Sequence, residues 1–231
     1  MQEKEKDKSR CEVKLLIDNT HWKQIEAIIP RSFEEKKREV WFFETPDLML
    51  KNHELVLRVR ISRKKSEVES TSKLRKWVSP YPEVLEEWNS VKGFKAEIDA
   101  TDEDSVPAWS VTRGKMQLSV FEDARRDPLQ TAKLFNSNQL LLVRSAWPDL
   151  PIKSLQCLGP IQSSRWMLEN EISIERWSIK DDHVIEISKR GSDATTELNE
   201  IRKWLKKSGI ESDPLPGGKT AWALDRLGQS Q

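Results

Sequence analysis

The stretch ELVLRVRISR, Glu54–Arg63, interleaves Leu55, Leu57, Val59 and Ile61 with Arg58 and Arg60. Alternation of this kind puts apolar side chains on one face of a β-strand and charged ones on the other. The rhythm recurs on both sides. Cys11, Val13, Leu15 and Ile17 alternate with Arg10, Glu12 and Lys14, and Phe94, Ala96 and Ile98 alternate with Lys95, Glu97 and Asp99. Arg38–Thr45 is rich in aromatic and β-branched residues and is closed by Pro46 and Asp47. Further strands are expected over Thr71–Val78, Pro160–Leu168, Glu171–Ile179 and His183–Arg190, with Asp181 and Asp182 in a tight turn.

Helical spacing appears between these runs. Trp22, Ile25, Ile28 and Ile29 form one stripe within His21–Ile29, and Leu198, Ile201, Trp204 and Leu205 form another within Thr195–Lys207, which Gly209 ends. PLPGGKTAWALDRL predicts a final short helix, and Leu129–Val143 reads as helical despite Pro128. The polar run SRKKSEVESTS, Ser62–Ser72, reads as a hairpin loop, and Ser79–Gly93 as a second loop.

The chain has 231 residues, of which 36% are hydrophobic and 33% charged, and its formal net charge is +1. That length suits one large domain, expected here over residues 10–227 between a charged disordered tail at 1–9 and a short tail at 228–231. Near-neutrality argues against nucleic acid as a partner. The opening MQEKEKDKSR has no apolar stretch after its charges, and no later segment approaches a membrane span, so neither leader nor anchor is expected. Two cysteines, Cys11 and Cys157, are too few for a disulfide framework and fit a reducing, cytoplasmic setting. His21, His53 and His183 are scattered and receive no role, and the Trp residues read as core or barrel-covering groups rather than base-stacking platforms.

In a small barrel the apolar member of each alternating strand usually fills the centre and the polar member meets water. Here several strands carry charges two apart, and amphipathic helices stand ready to cover an apolar outer face. The expected fold is therefore mainly β, a closed antiparallel barrel or tunnel with flanking helices and a charged interior. Enclosed charges must pair or bind something, because an uncompensated buried ion costs several kcal/mol (roughly). Arg and Lys can grip the oxygens of a polyphosphate, and Glu and Asp suit a hard divalent cation that also ligates phosphate.

In the order of these motifs the chain resembles the CYTH, or triphosphate tunnel metalloenzyme, family. RCEVKLLID resembles the family's opening ExExK strand, with Arg10 in place of the first Glu and with Glu12 and Lys14 matching the rest. FFETPDLMLKNHELVLRVR, Phe42–Arg60, is similar to its strand, turn and basic strand, and STSKLRKW and FKAEIDAT supply Lys73, Arg75, Lys95, Glu97 and Asp99. PIQSSRW offers Arg165 with Ser163 in place of a basic residue, VIEISKR offers Glu186 with Ser188 at the other acidic position, and GGKTAWAL offers Lys219.

The resemblance implies a metal-dependent phosphohydrolase, with inorganic triphosphate or a nucleoside or organic triphosphate as small-molecule partner and Mg2+ or Mn2+ as cofactor. It assigns Lys14, Arg58, Arg60, Lys73, Arg75, Lys95, Arg165 and Lys219 to substrate binding. It assigns Glu12, Glu97, Asp99 and Glu186 to metal, the first three also to catalysis. Glu175 reads as a surface or structural charge. The altered acidic positions leave a catalytically weak polyphosphate or nucleotide receptor as the alternative, and adenylate cyclase as a third reading; oligomeric state stays open.

Overall fold

The computed structural model describes residues 11–75, 87–211 and 213–229. The charged tail expected at 1–9, Arg10, and the end of the strand expected to reach Val78 lie outside them.

The strands are β1 (Cys11–Asp18), β2 (Lys36–Glu44), β3 (Leu55–Ser62), β4 (Glu67–Arg75), β5 (Phe94–Ala100), β6 (Ser105–Met116), β7 (Gln156–Met167), β8 (Ser173–Ile179) and β9 (Asp182–Gly191). They hydrogen-bond in the order β1-β5-β6-β4-β3-β2-β7-β8-β9 and close on themselves, giving the expected barrel. β1 runs antiparallel to β9 but parallel to β5, so the sheet is mixed. Helices α1 (Trp22–Ile28), α2 (Met49–Asn52), α3 (Leu118–Arg126), α4 (Ser137–Ala146), α5 (Ala194–Lys207) and α6 (Lys219–Gly228) are placed between or after the strands.

Packing groups the chain into two compact units. The first holds residues up to Lys36, Glu97–Val106 and Ser164–Lys219. Its apolar cluster joins Val13, Leu15 and Ile17 of β1, Ile174 of β8, and Ile185 and Ile187 of β9 to Ile25 of α1 and to Ile201 and Leu205 of α5. The second unit holds Lys37–Ala96, Pro107–Ser163 and the chain from Thr220. Its cluster joins Leu55, Leu57, Val59 and Ile61 of β3, Val68 and Leu74 of β4, and Trp109 and Val111 of β6 to helices α3 and α4 through Phe121, Leu142 and Val143. Helices can cover only the outer surface of a closed barrel, so in each unit the apolar strand face points outward and the alternate residues point inward. Full burial of each such aliphatic side chain contributes about 1.5–3 kcal/mol.

β5 forms over the residues expected of it, and β3 shows strict burial alternation. Two local expectations are corrected, and one strand was not expected. The hairpin loop is confined to residues 63–66, and β4 begins at Glu67, inside the polar run. Ser70 and Ser72 are buried there, and the Ser70 hydroxyl donates to the Leu134 carbonyl at 2.7 Å, which makes a polar residue acceptable on a covered strand face. β6 went unassigned because Pro107 and Gly114 interrupt its pattern and its buried residues do not alternate strictly. The helix expected over Leu129–Val143 is a 3-10 turn, Pro128–Lys133, followed by a restart: Asn136 and Gln139 form a capping box with bonds of 2.9 and 3.0 Å that opens α4 at Ser137.

Candidate metal and phosphate site

Parallel pairing sets Glu12 of β1 beside Asp99 of β5, and two residues earlier on the same face of β5 stands Glu97. One carboxylate oxygen from each of the three lies within 4.8 Å of the others. Glu97 and Asp99 are buried, at 8% and 4% exposure. Hard oxygen donors grouped this closely are the ligand set that Mg2+ or Mn2+ prefers, so the residues present fit such an ion.

Lys14, two residues along β1 from Glu12, places its ammonium 2.9 Å from Glu12 Oε2 and 2.7 Å from Asp99 Oδ1. Burial alone would lower its pKa, but Glu12, Asp99, Glu186 and Glu97 outweigh that effect and hold it well above the usual lysine range. On the other side of β1 the antiparallel register sets Arg190 opposite Glu12 and Ser188 opposite Lys14. Arg190 Nε lies 3.3 Å from Glu12 Oε1, so the two oxygens of this carboxylate face two different cations. Arg190 was not singled out from sequence, although it shares strand parity with Glu186 and Ser188 and could have been found that way.

Glu186 is held elsewhere. Its Oε1 accepts Lys219 Nζ at 2.8 Å, and the same ammonium pairs with Glu175 Oε2. Glu175 also accepts the indole N–H of Trp177 at 2.8 Å, and Lys219 sits 4.9 Å from the centre of that ring. All four residues are buried. Lys219, expected at the substrate, is thus bound to protein carboxylates, and Glu186, expected at the metal, is one of them. Glu175 proves to be a buried structural charge, with Trp177 an inward-facing aromatic neighbour. Arg165 donates from Nε to the Ser173 hydroxyl at 2.7 Å.

In the second unit Arg58 and Arg60 occupy the face of β3 opposite its buried leucines. Cross-strand register puts Thr71 opposite Arg58, Lys73 opposite Val56, and Glu69 opposite Arg60. Arg60 Nη1 lies 3.5 Å from Glu69 Oε1, and Arg75 Nη1 4.0 Å from Glu54 Oε2. These two contacts are long and partly exposed. Lys95 is half-buried on β5, two residues before Glu97.

No protein-family model matches the sequence, and no curated protein matches it. Solved structures do. HpAC1 of Hippeastrum, a candidate adenylyl cyclase described as having a dominant triphosphatase activity, superposes with a TM-score of 0.66 at 13% identity, covering 94% of this chain and 95% of that one. A candidate adenylate cyclase from Bacillus halodurans gives 0.61 at 18% identity, over 95% and 97%. The chain has the CYTH, or triphosphate-tunnel, fold. A third protein with this fold, PH1819 of Pyrococcus horikoshii, gives 0.51 at 12% identity over 93% and 99%. Among the described residues no helix is long and apolar enough to cross a membrane. The CYTH fold therefore arises here from a sequence whose likeness to these structures lies in the order of strands far more than in residue identity.

Proposed function

We propose that the protein is a metal-dependent phosphohydrolase acting on inorganic triphosphate or on a nucleoside or organic triphosphate, with Mg2+ or Mn2+ held by Glu12, Glu97 and Asp99. The observation that carries this reading is the convergence of those three carboxylates within 4.8 Å on neighbouring strands. A divalent ion there would neutralise charge on the transferring phosphoryl group and activate the attacking water. Arg58, Arg60, Lys73, Arg75, Lys95 and Arg165 supply positive charge on inward strand faces, where charge-assisted hydrogen bonds to phosphate oxygens would orient the chain of phosphates. Phosphoryl transfer asks little more of a protein than positioning and charge neutralisation, and these residue types provide both.

The full chain should release orthophosphate from tripolyphosphate, ATP or thiamine triphosphate when Mg2+ or Mn2+ is added, and chelation should stop it. Arg58→Ala and Lys73→Ala should each raise KM by about tenfold or more, the loss of one charge-assisted contact. A second reading, a polyphosphate or nucleotide receptor with little turnover, is favoured by the cations already seated on Glu12 and Asp99. Tight binding of tripolyphosphate without phosphate release would establish it, and formation of cyclic AMP from ATP would instead point to a cyclase.

A further inference from the structure

The metal-binding trio is already occupied by an ammonium group of the chain itself. Lys14 Nζ bridges Glu12 and Asp99 at 2.9 and 2.7 Å, distances at which the lysine and a divalent ion would compete for the same oxygens. Arg190 is engaged with the other oxygen of Glu12. We propose, on the reading of Glu12, Glu97 and Asp99 as the metal site, that Lys14 is an internal competitor: it offsets part of the trio's charge before loading and must swing away when the ion arrives.

Three observations support this. Three carboxylates packed this closely repel one another unless a cation stands among them, and Lys14 supplies one from two residues away on the same strand. Its side chain is not sealed in, being 22% exposed. It also borders a small open cleft formed with Thr101, Asp102, Glu103, Pro214 and Gly217, whose rim carries the carboxylates of Asp102 and Glu103. The cleft wall beyond it is fixed, since Leu215 donates to the Leu16 carbonyl at 2.7 Å and ties the Pro214–Gly217 segment to β1.

The consequence is a coupling between cation and anion. While Lys14 holds Glu12 and Asp99 its charge is spent within the protein; once displaced, the same charge becomes available to a phosphate. Metal loading would therefore release a phosphate-binding group, and the affinity lost to the competition reappears as affinity for the anion.

The test measures Mn2+ binding to the full chain by titration calorimetry, without any phosphate. Lys14→Met and Lys14→Gln should each bind Mn2+ more tightly than wild type, by a factor within the range usual for coupled sites, about 5- to 150-fold. Lys14→Arg, which retains the charge, should stay close to wild type. If removal of the charge lowers the stability of the metal-free protein, added Mn2+ should raise Tm more in Lys14→Met than in wild type. Equal or weaker Mn2+ binding in both neutral variants overturns the competition while leaving the metal site intact. Absence of Mn2+ binding in wild type and variants alike overturns both.

Discussion

Two lysines of this protein sit among inward-facing carboxylates, yet their surroundings differ in kind. Lys219 is 10% exposed, is paired with Glu175 and Glu186, and lies against the indole of Trp177. Lys14 is 22% exposed, borders a solvent cleft, and meets a trio whose third member is Glu97. In the first cluster two acids share one base behind an aromatic wall; in the second, three acids converge within 4.8 Å beside a lysine more open to water. Similar residues thus make a closed brace in one place and a more open cluster in the other, and what separates them is a third converging carboxylate together with access to water.

The comparison can be broken most sharply at the brace. Lys219→Met should destabilise the fold by about 3–5 kcal/mol in urea denaturation, because Glu175 and Glu186 would lose the ammonium they share. A loss no larger than that of a surface substitution would mean the two clusters do not differ as described. Next in size is Glu97→Gln, which should weaken Mn2+ binding by about a hundredfold or more, since even changes outside the ligand shell typically cost about 10–100-fold. Metal-dependent turnover should fall with it.

Alkaline titration sharpens the contrast further. Lys14 gains its partners on folding and its pKa is raised, so its stabilising contribution is complete below its ordinary value of 10.5 and drains away as pH rises through the higher folded value. The difference in unfolding free energy between wild type and Lys14→Met should stay level from neutral pH to 10.5 and shrink only above it. Smallest of all should be Arg190→Ala. Its side chain is 45% exposed, so losing its contact with Glu12 should change Mn2+ affinity by about fivefold at most.

Much of the fold was legible because strands with one helix-covered face write that fact into their sequence: β3 and β5 read directly from alternation. β6 did not, since Pro107 and Gly114 break its period. The start of β4 was hidden because Ser70 is buried through hydrogen bonds to Leu134 and Gln139, partners that lie 64 and 69 residues away. At the site, motif order suggested Glu12, Glu97 and Asp99 together, but it set Glu186 with them and Lys14 with phosphate, whereas Lys14 lies on Glu12 and Asp99. The partnership of Lys219 with Glu175 and Glu186 could not, because charge type and spacing are the same whether a lysine meets a substrate or a neighbouring carboxylate. Arg190 was within reach of parity alone, once Glu186 had been placed.

The parallel pairing of β1 with β5 has a kinetic corollary. Lys14 and Asp99 are 85 positions apart in the chain, so the acidic trio cannot assemble from any local hairpin. Contacts of such long span carry the closure entropy of the intervening chain and slow its folding. An ion that recognises Glu12, Glu97 and Asp99 together would consequently bind only molecules in which the first strand has docked, and would stabilise that docked state.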